Sequence, residues 1–185
     1  MGSFPIFATN RLMLRKIEEN DLEDIYRGLS NPEVIKYYGI HYDSLPETLK
    51  QLQWFKALEE NKTGIWWAIC DKNDGHFIGA IGFNNLSNQH KKIEIGFWLL
   101  PKFWGKGLIH EAAEVICNYA FDDLGINRIE AFVESENNNS KKALAKLLFE
   151  YEGTMKSCEI KNGKFISLAI YAKLNHRTSV SRKTT

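Results

Sequence analysis

The residues of this chain best suited to chemistry form the run Leu100-Pro101-Lys102-Phe103-Trp104-Gly105-Lys106-Gly107-Leu108, where an apolar stretch gives way to an amphipathic one. Ile93 to Leu100 reads as a strand, and Gly107 to Phe121 sets Leu108, Ala112, Val115, Ile116 and Tyr119 at helical spacing. A strand feeding a glycine-rich turn that opens a helix is an anion site. The first helical amides lack internal acceptors, and the helix dipole adds partial positive charge. Gly105 and Gly107 let the backbone approach a phosphate with no Cβ in the way. The pattern points to a pyrophosphate. The dinucleotide fingerprint lacks its third glycine, and a P-loop needs Ser or Thr where Gly107 follows Lys106. The plain structural alternative is a helix-opening turn with packing glycines.

Two other positions carry chemistry on their residue type alone. Glu94 is an acid inside an otherwise apolar strand, a costly place for an unpaired charge. Burial would raise its pKa and suit it to be a general base; the alternative is an ion pair with Arg128 or another cation. Glu134, at the end of the next strand, is the second candidate base. Asn137 and Ser140 open a helix, and as plain structure they cap its amides.

These residues need elements to position them. Arg11 to Lys16 reads as a first strand, and Asn20 with Glu23 as a capping pair for a short helix through Leu29. Ser44, Pro46 and Glu47 open a second helix running to about Asn61. Ile65–Cys70 and Phe77–Phe83 are strands, and a polar loop, Asn84 to His90, leads to the strand ending at Leu100. Gly125 stops the next helix, Arg128–Glu134 is a strand, and a helix runs from Asn138 to about Phe149. Gly153–Ile160 and Lys164–Leu174 make a hairpin around Asn162-Gly163. The order β-α-α-β-β-β-α-β-α-β-β implies an α/β (α+β) sandwich with a mixed central sheet and not a doubly wound one.

Composition sets the class. With 185 residues, 44% hydrophobic and 25% charged, the chain reads as one globular domain, residues 9–174, with a C-terminal tail, 175–185. A net charge of +1 and the absence of an aromatic-plus-basic signature give no sign of nucleic-acid binding. The three cysteines, Cys70, Cys117 and Cys158, have no zinc or disulfide spacing, and the histidines have no metal-like spacing, so no metal is expected. No apolar run reaches membrane-spanning length and no signal peptide is visible, which makes the cytoplasm the simplest address.

The glycine loop, written Lys102-x-x-Gly105-x-Gly107 with Glu111-Ala112 behind it, resembles the acyl-CoA loop of the GNAT acetyltransferase superfamily in its RimJ/RimL-type branch. The resemblance extends over roughly residues 9–174. It includes Thr9-Asn10-Arg11-Leu12-Met13-Leu14-Arg15 with Asp21, Asn31-Pro32-Glu33-Val34, Tyr37-Tyr38-Gly39, Glu94-Ile95-Gly96-Phe97-Trp98, Asn137-Asn138-Asn139-Ser140 and Glu152-Gly153. It implies direct transfer of an acetyl group from acetyl-CoA to a primary amine, on a protein N-terminus or a small molecule. It also implies that Trp98, Leu99 and Leu100 offer backbone to pantetheine, and that the amides of Phe103, Trp104, Gly105, Lys106, Gly107 and Leu108 hold the pyrophosphate, with charge from Lys102 and Lys106. Asn137 would bond the pantetheine amide and Ser140 would face the CoA sulfur, to protonate or hydrogen-bond the departing thiolate. Tyr37, Tyr38 and His41 would border the acceptor, and a homodimer is a possible assembly. Two positions depart from the family pattern. Leu148 stands where a helix-ending glycine is common, and Ser167 where many relatives carry an acid. They keep open a second reading, an acyl-CoA-binding sensor or interaction protein with little transfer; a nucleotide-binding protein using the same loop is a third.

Overall fold

In the computed structural model, which describes residues 3–175, alternating Leu12 and Leu14 build a strand whose apolar side is fully buried. The expectation for the C-terminal tail falls outside the described residues apart from Asn175. The elements in order are β1 (Phe7–Ala8), β2 (Leu12–Lys16), α1 (Leu22–Leu29), α2 (Pro32–Ile35), α3 (Leu45–Glu60), β3 (Ile65–Asp71), β4 (Phe77–Ser87), β5 (Lys92–Leu99), α4 (Leu108–Asp122), β6 (Arg128–Glu134), α5 (Asn138–Lys146), β7 (Glu150–Lys161) and β8 (Lys164–Leu174). The order matches expectation, with β1 and the one-turn α2 added. Two residues of β1 and four of α2 are too few for a periodic signal. β4 runs on to Ser87 where a loop was expected, because the register slips between Asn84 and Ser87 and Asn85 takes φ 52°.

The eight strands form one mixed sheet in the order β1-β2-β3-β4-β5-β6-β8-β7. Helices cover both faces. Trp67, Ile81, Ile93 and Ile129 lie in one core with Ile116 of α4 and Leu144 of α5. Trp66, Ala80 and Trp98 lie in the other with Ile25 of α1 and Phe55 of α3. Adjacent Trp66 and Trp67 therefore point to opposite faces, and both are core. Each indole N–H has an acceptor, Asn84 Oδ1 at 2.6 Å for Trp66 and the Pro5 carbonyl at 2.7 Å for Trp67. Cys70 and Cys117 pack as small apolar groups, and burial pushes their thiols up to about 11 and about 12.

The helix expected to reach Phe149 ends at Lys146, and Leu148 explains why. Its φ is 62°, in the left-handed region. The Leu148 amide donates to the Ala145 carbonyl and the Phe149 amide to the Leu144 carbonyl, a Schellman closure, with Leu144 and Phe149 both buried. Leu148 supplies the conformation glycine would, at a steric cost of about 1–2 kcal/mol, while its side chain is 77% exposed and gives little packing in return. Leu148→Gly should therefore stabilise the protein by about 1 kcal/mol once the added freedom of the unfolded chain is subtracted. Thermal melts should show a rise of about 2–4 °C; a lower melting temperature would mean the exposed leucine makes contacts that matter.

Candidate active site

β5 and β6 are the parallel neighbours in the sheet, and they pair only at Lys92–Arg128, Ile93–Ile129 and Glu94–Glu130. Beyond Glu94, β5 continues to Leu99 and β6 to Glu134 without a ladder between them. Over that stretch, from Glu94 to Leu99, β5 stays paired with β4, so its other edge is open. Alternation along the strand decides which groups face that gap. Leu100 donates to the Ile78 carbonyl, so Trp98 and Gly96, two and four residues back, also turn their backbone to β4. The open edge belongs to Ile95, Phe97 and Leu99. Of the three residues expected to offer backbone here, only Leu99 does, and its carbonyl already accepts from Trp104 Nε1 at 2.8 Å. Leu100 has its amide on Ile78 and its carbonyl under the Phe103 amide. Trp98 instead puts its ring into the core, against Gly28 and Phe77.

The glycine turn follows directly. Pro101–Phe103 form a short 3-10 turn closed by the Phe103 and Trp104 amides, which donate to Leu100 and Pro101. Those two amides are engaged, so of the six expected to face an anion, Gly105, Lys106, Gly107 and Leu108 remain. None of these four donates to a loop carbonyl or side chain among the described residues. Gly105 and Gly107 sit at φ 72° and 74°, and a Cβ on Gly105 would meet nothing within 4 Å. Both glycines are needed for the left-handed backbone, and nothing crowds Gly105. Lys102 and Lys106 flank the Phe103 ring at 4.8 and 5.5 Å.

A residue given no role by sequence reasoning anchors this turn. Arg11, just before β2, donates from Nη1 to the Lys106 carbonyl at 2.9 Å and from Nε to Glu111 Oε2 at 2.7 Å. Glu111, on the first turn of α4, also accepts from the Arg11 amide and from Thr9 Oγ1. Burial pushes the Glu111 carboxyl up, but the Thr9 and Arg11 hydrogen bonds outweigh it and hold it below the ordinary range. Its stabilisation is thus present above the ordinary glutamate pKa and is lost as pH falls through the lowered one. Thr9, Arg11 and Glu111 were legible as resemblance; their convergence over a hundred residues was not.

On the other strand, Ser135 to Asn137 lead from β6 into α5, so the N-termini of α4 and α5 both follow the strand ends that border the gap. Asn137 caps α5: Oδ1 accepts from the Ser140 amide at 3.1 Å, and Nδ2 donates to Ser140 Oγ at 2.9 Å. The capping role falls to Asn137 alone. Ser140 accepts at its oxygen, which leaves its hydroxyl proton available to another acceptor.

Glu94 stands at the last paired position before the strands part. Its expected alternative role, partner to Arg128, does not occur: Arg128 binds Glu130 and Glu152. Glu94 accepts instead from Asn85 Nδ2 at 2.8 Å, the residue turned by the β4 irregularity. Burial pushes its carboxyl up; the Asn85 bond and Lys92 oppose this, and the charges of Glu130 and Glu159 add to it. Tyr38 lies close enough for Glu94 and Tyr42 to add to the effect of burial, which raises its phenol above the usual range. Tyr37 is half-buried with Lys36 over its ring, and His41 is exposed. Glu134 is ion-paired with Lys161, whose ammonium also donates to the Lys36 carbonyl at 2.8 Å. The tip of the β7–β8 hairpin is thereby fastened to the segment carrying Tyr37 and Tyr38. Ser167 Oγ accepts from the Ser157 amide at 2.9 Å, where the β7–β8 register slips. Among the described residues no group of His, Cys, Asp and Glu could hold a metal ion, and no helix is long and apolar enough to cross a membrane.

A mixed sheet opened between two parallel strands, with a glycine turn following one of them, makes a slot with an anion site beside it. The profile of the GNAT acetyltransferase domain matches residues 11–150, and the chain belongs to that family. It is 35% identical over 175 residues to the uncharacterised N-acetyltransferase YoaA of Bacillus subtilis, covering 94% of this chain and 99% of that one. It is 22% identical to the spermidine N(1)-acetyltransferase of Escherichia coli, covering 96% and 93%. The solved structure of RimL, a ribosomal L7/L12 α-N-protein acetyltransferase in complex with coenzyme A, superposes with a TM-score of 0.83 at 22% identity, covering 92% of this chain and 98% of that one.

The division of labour at α5 can be measured. Asn137→Ala should cost about 1 kcal/mol of stability through the lost cap. Ser140→Ala, which leaves that cap in place, should melt close to the parent protein. Equal losses in the two variants would show that Ser140 holds the helix as much as Asn137 does.

Proposed function

We propose that this protein is an acetyl-CoA-dependent N-acetyltransferase acting on a primary amine. The observation that carries the reading is the separation of β5 from β6 after Glu94, beside a turn whose four amides and two left-handed glycines are open to an anion. The residues fit an acyl-CoA. Strand-edge groups of Ile95 and Phe97 suit the amides of a pantetheine arm, and the amides of Gly105 to Leu108 suit its diphosphate, with Lys102 and Lys106 adding charge. The donor supplies a thioester carbonyl to an attacking nitrogen.

The chain's own groups then have defined tasks. Glu94 takes the proton that the amine nitrogen loses as the new N–C bond forms, directly or through one water. Its raised pKa makes the carboxylate a stronger proton acceptor. The Ser140 hydroxyl donates to the sulfur as the C–S bond breaks. A thiol pKa of about 8.5 makes that leaving group tolerable, so the contribution is a modest one. Tyr38 stands beside Glu94 on the acceptor side, with Tyr37 and His41 on the same segment. Two of the relatives carry names with unlike acceptors, spermidine and ribosomal L7/L12, so the acceptor class stays at primary amine, from a protein N-terminus to a polyamine.

The decisive experiment is thiol release from acetyl-CoA against peptides beginning Ala, Ser and Met and against small amines, spermidine included. Turnover with any of them supports the reading; tight CoA binding without turnover on the whole panel would favour the sensor reading. Gly107→Val, forced into a left-handed backbone that β-branched residues avoid, should raise the dissociation constant for CoA about tenfold or more. Unchanged affinity in the folded variant would remove the turn from the site.

Glu94→Gln keeps the shape but cannot accept a proton. In the parent protein kcat/KM should rise with pH through the elevated carboxyl pKa, as the base form fills. The variant should lose that rise and fall further behind on a lysine-like amine, pKa about 10.4, than on an α-amino peptide, pKa about 7.7–8.0. Losses that are equal for both acceptors and independent of pH would take Glu94 out of proton transfer.

A further inference from the structure

Arg11 lies far from the glycine turn in sequence and is joined to it by its side chain. Nε is held by Glu111 and Nη1 by the Lys106 carbonyl. Nη2 donates to no group among the described residues, and it would lie 3.8 Å from a Cβ built on Gly107. The side chain as a whole is 47% exposed, and Nη2 lies beside Gly107 of the turn. A guanidinium presents its donors in a fixed planar fork. With two of them occupied by fixed partners, the direction of the third is set as well. The turn it overlooks has four free amides and is flanked by two lysines.

We propose that Arg11 is a donor-binding residue: its fork holds the glycine turn in shape through Lys106 and Glu111, and its free Nη2 bonds a phosphate oxygen of the acyl donor. The proposal rests on the acetyl-CoA reading above. It adds a cation from the N-terminal strand region to a site otherwise built from the β5–α4 junction. It also gives Glu111 a purpose beyond its helix. The carboxylate neutralises part of the guanidinium charge, and it fixes the rotamer so that the remaining donor points at the turn.

The test is titration calorimetry with CoA at low and high salt, with thermal melts of every variant. Arg11→Gln should raise the dissociation constant about tenfold or more, as expected for a lost charge-assisted hydrogen bond. It should also weaken the dependence of affinity on salt, since one charge facing the phosphates is gone. Arg11→Lys restores a charge but cannot hold two partners and offer a third donor. Its salt dependence should recover while its dissociation constant stays several-fold above that of the parent. A lower melting temperature for Arg11→Gln with unchanged affinity and salt dependence would overturn the proposal, leaving Arg11 a structural tie only. If Arg11→Gln does not fold, full affinity in folded Arg11→Lys overturns it equally. A parent protein that fails to bind CoA at all would instead bring down the acetyl-CoA reading itself.

Discussion

Two parallel strands that pair over three residues and then separate are the constraint on which the site depends. A sheet does not leave backbone groups unpaired in its middle without a reason, because each unmet amide or carbonyl away from water is costly. β5 tolerates the opening because its other edge is laddered to β4 from Glu94 to Leu99 and because Leu99 recovers one partner in the Trp104 indole. The diverging ends lead into two helices, α4 and α5, so both helix N-termini follow the ends of the two parallel strands. Strand-edge groups, turn amides and helix N-termini thus gather around one gap, with two helix dipoles favouring negative charge there.

The two sides of this gap are prepared differently. At the glycine turn the charges are positive and the geometry is backbone-driven, with left-handed glycines at Gly105 and Gly107 and cations at Arg11, Lys102 and Lys106. Where the strands part, Glu94 is raised by burial and by Glu130 and Glu159, and among the described residues it is steadied by the neutral Asn85 amide and not by an ion pair. An ion pair would have lowered its basicity; a neutral donor holds the orientation with a smaller loss. Glu134, by contrast, is committed to Lys161, which ties the β7–β8 hairpin to the segment of Tyr37 and Tyr38. Of the two carboxylates, Glu94 is the one without an ion pair among the described residues.

Ser167 and Leu148, the two departures from the family pattern, have local explanations. Ser167 holds the Ser157 amide where the hairpin register slips, and Leu148 closes a helix in a conformation that glycine adopts more easily. Neither contact involves the glycine turn or the open edge of β5.

The sequence by itself determined the element order, the glycine turn and the candidates Glu94, Asn137 and Ser140. These rest on local rules: apolar period, glycine at a turn, and side chains that cap. It could not say that Ile95 and Phe97, and not Trp98 and Leu100, face the gap. That depends on which strand edge is laddered, a matter of register with β4. Nor could it separate Asn137 from Ser140 as the cap, or show that Glu94 has Asn85 for company in place of Arg128, since each outcome turns on side-chain direction after folding. Trp66 and Trp67 could be placed on opposite faces by alternation, but only helices packed on both sides made both of them core. Arg11 shows the limit most plainly. Its partners, Lys106 and Glu111, lie about a hundred residues away, and only the sheet brings them within hydrogen-bond reach.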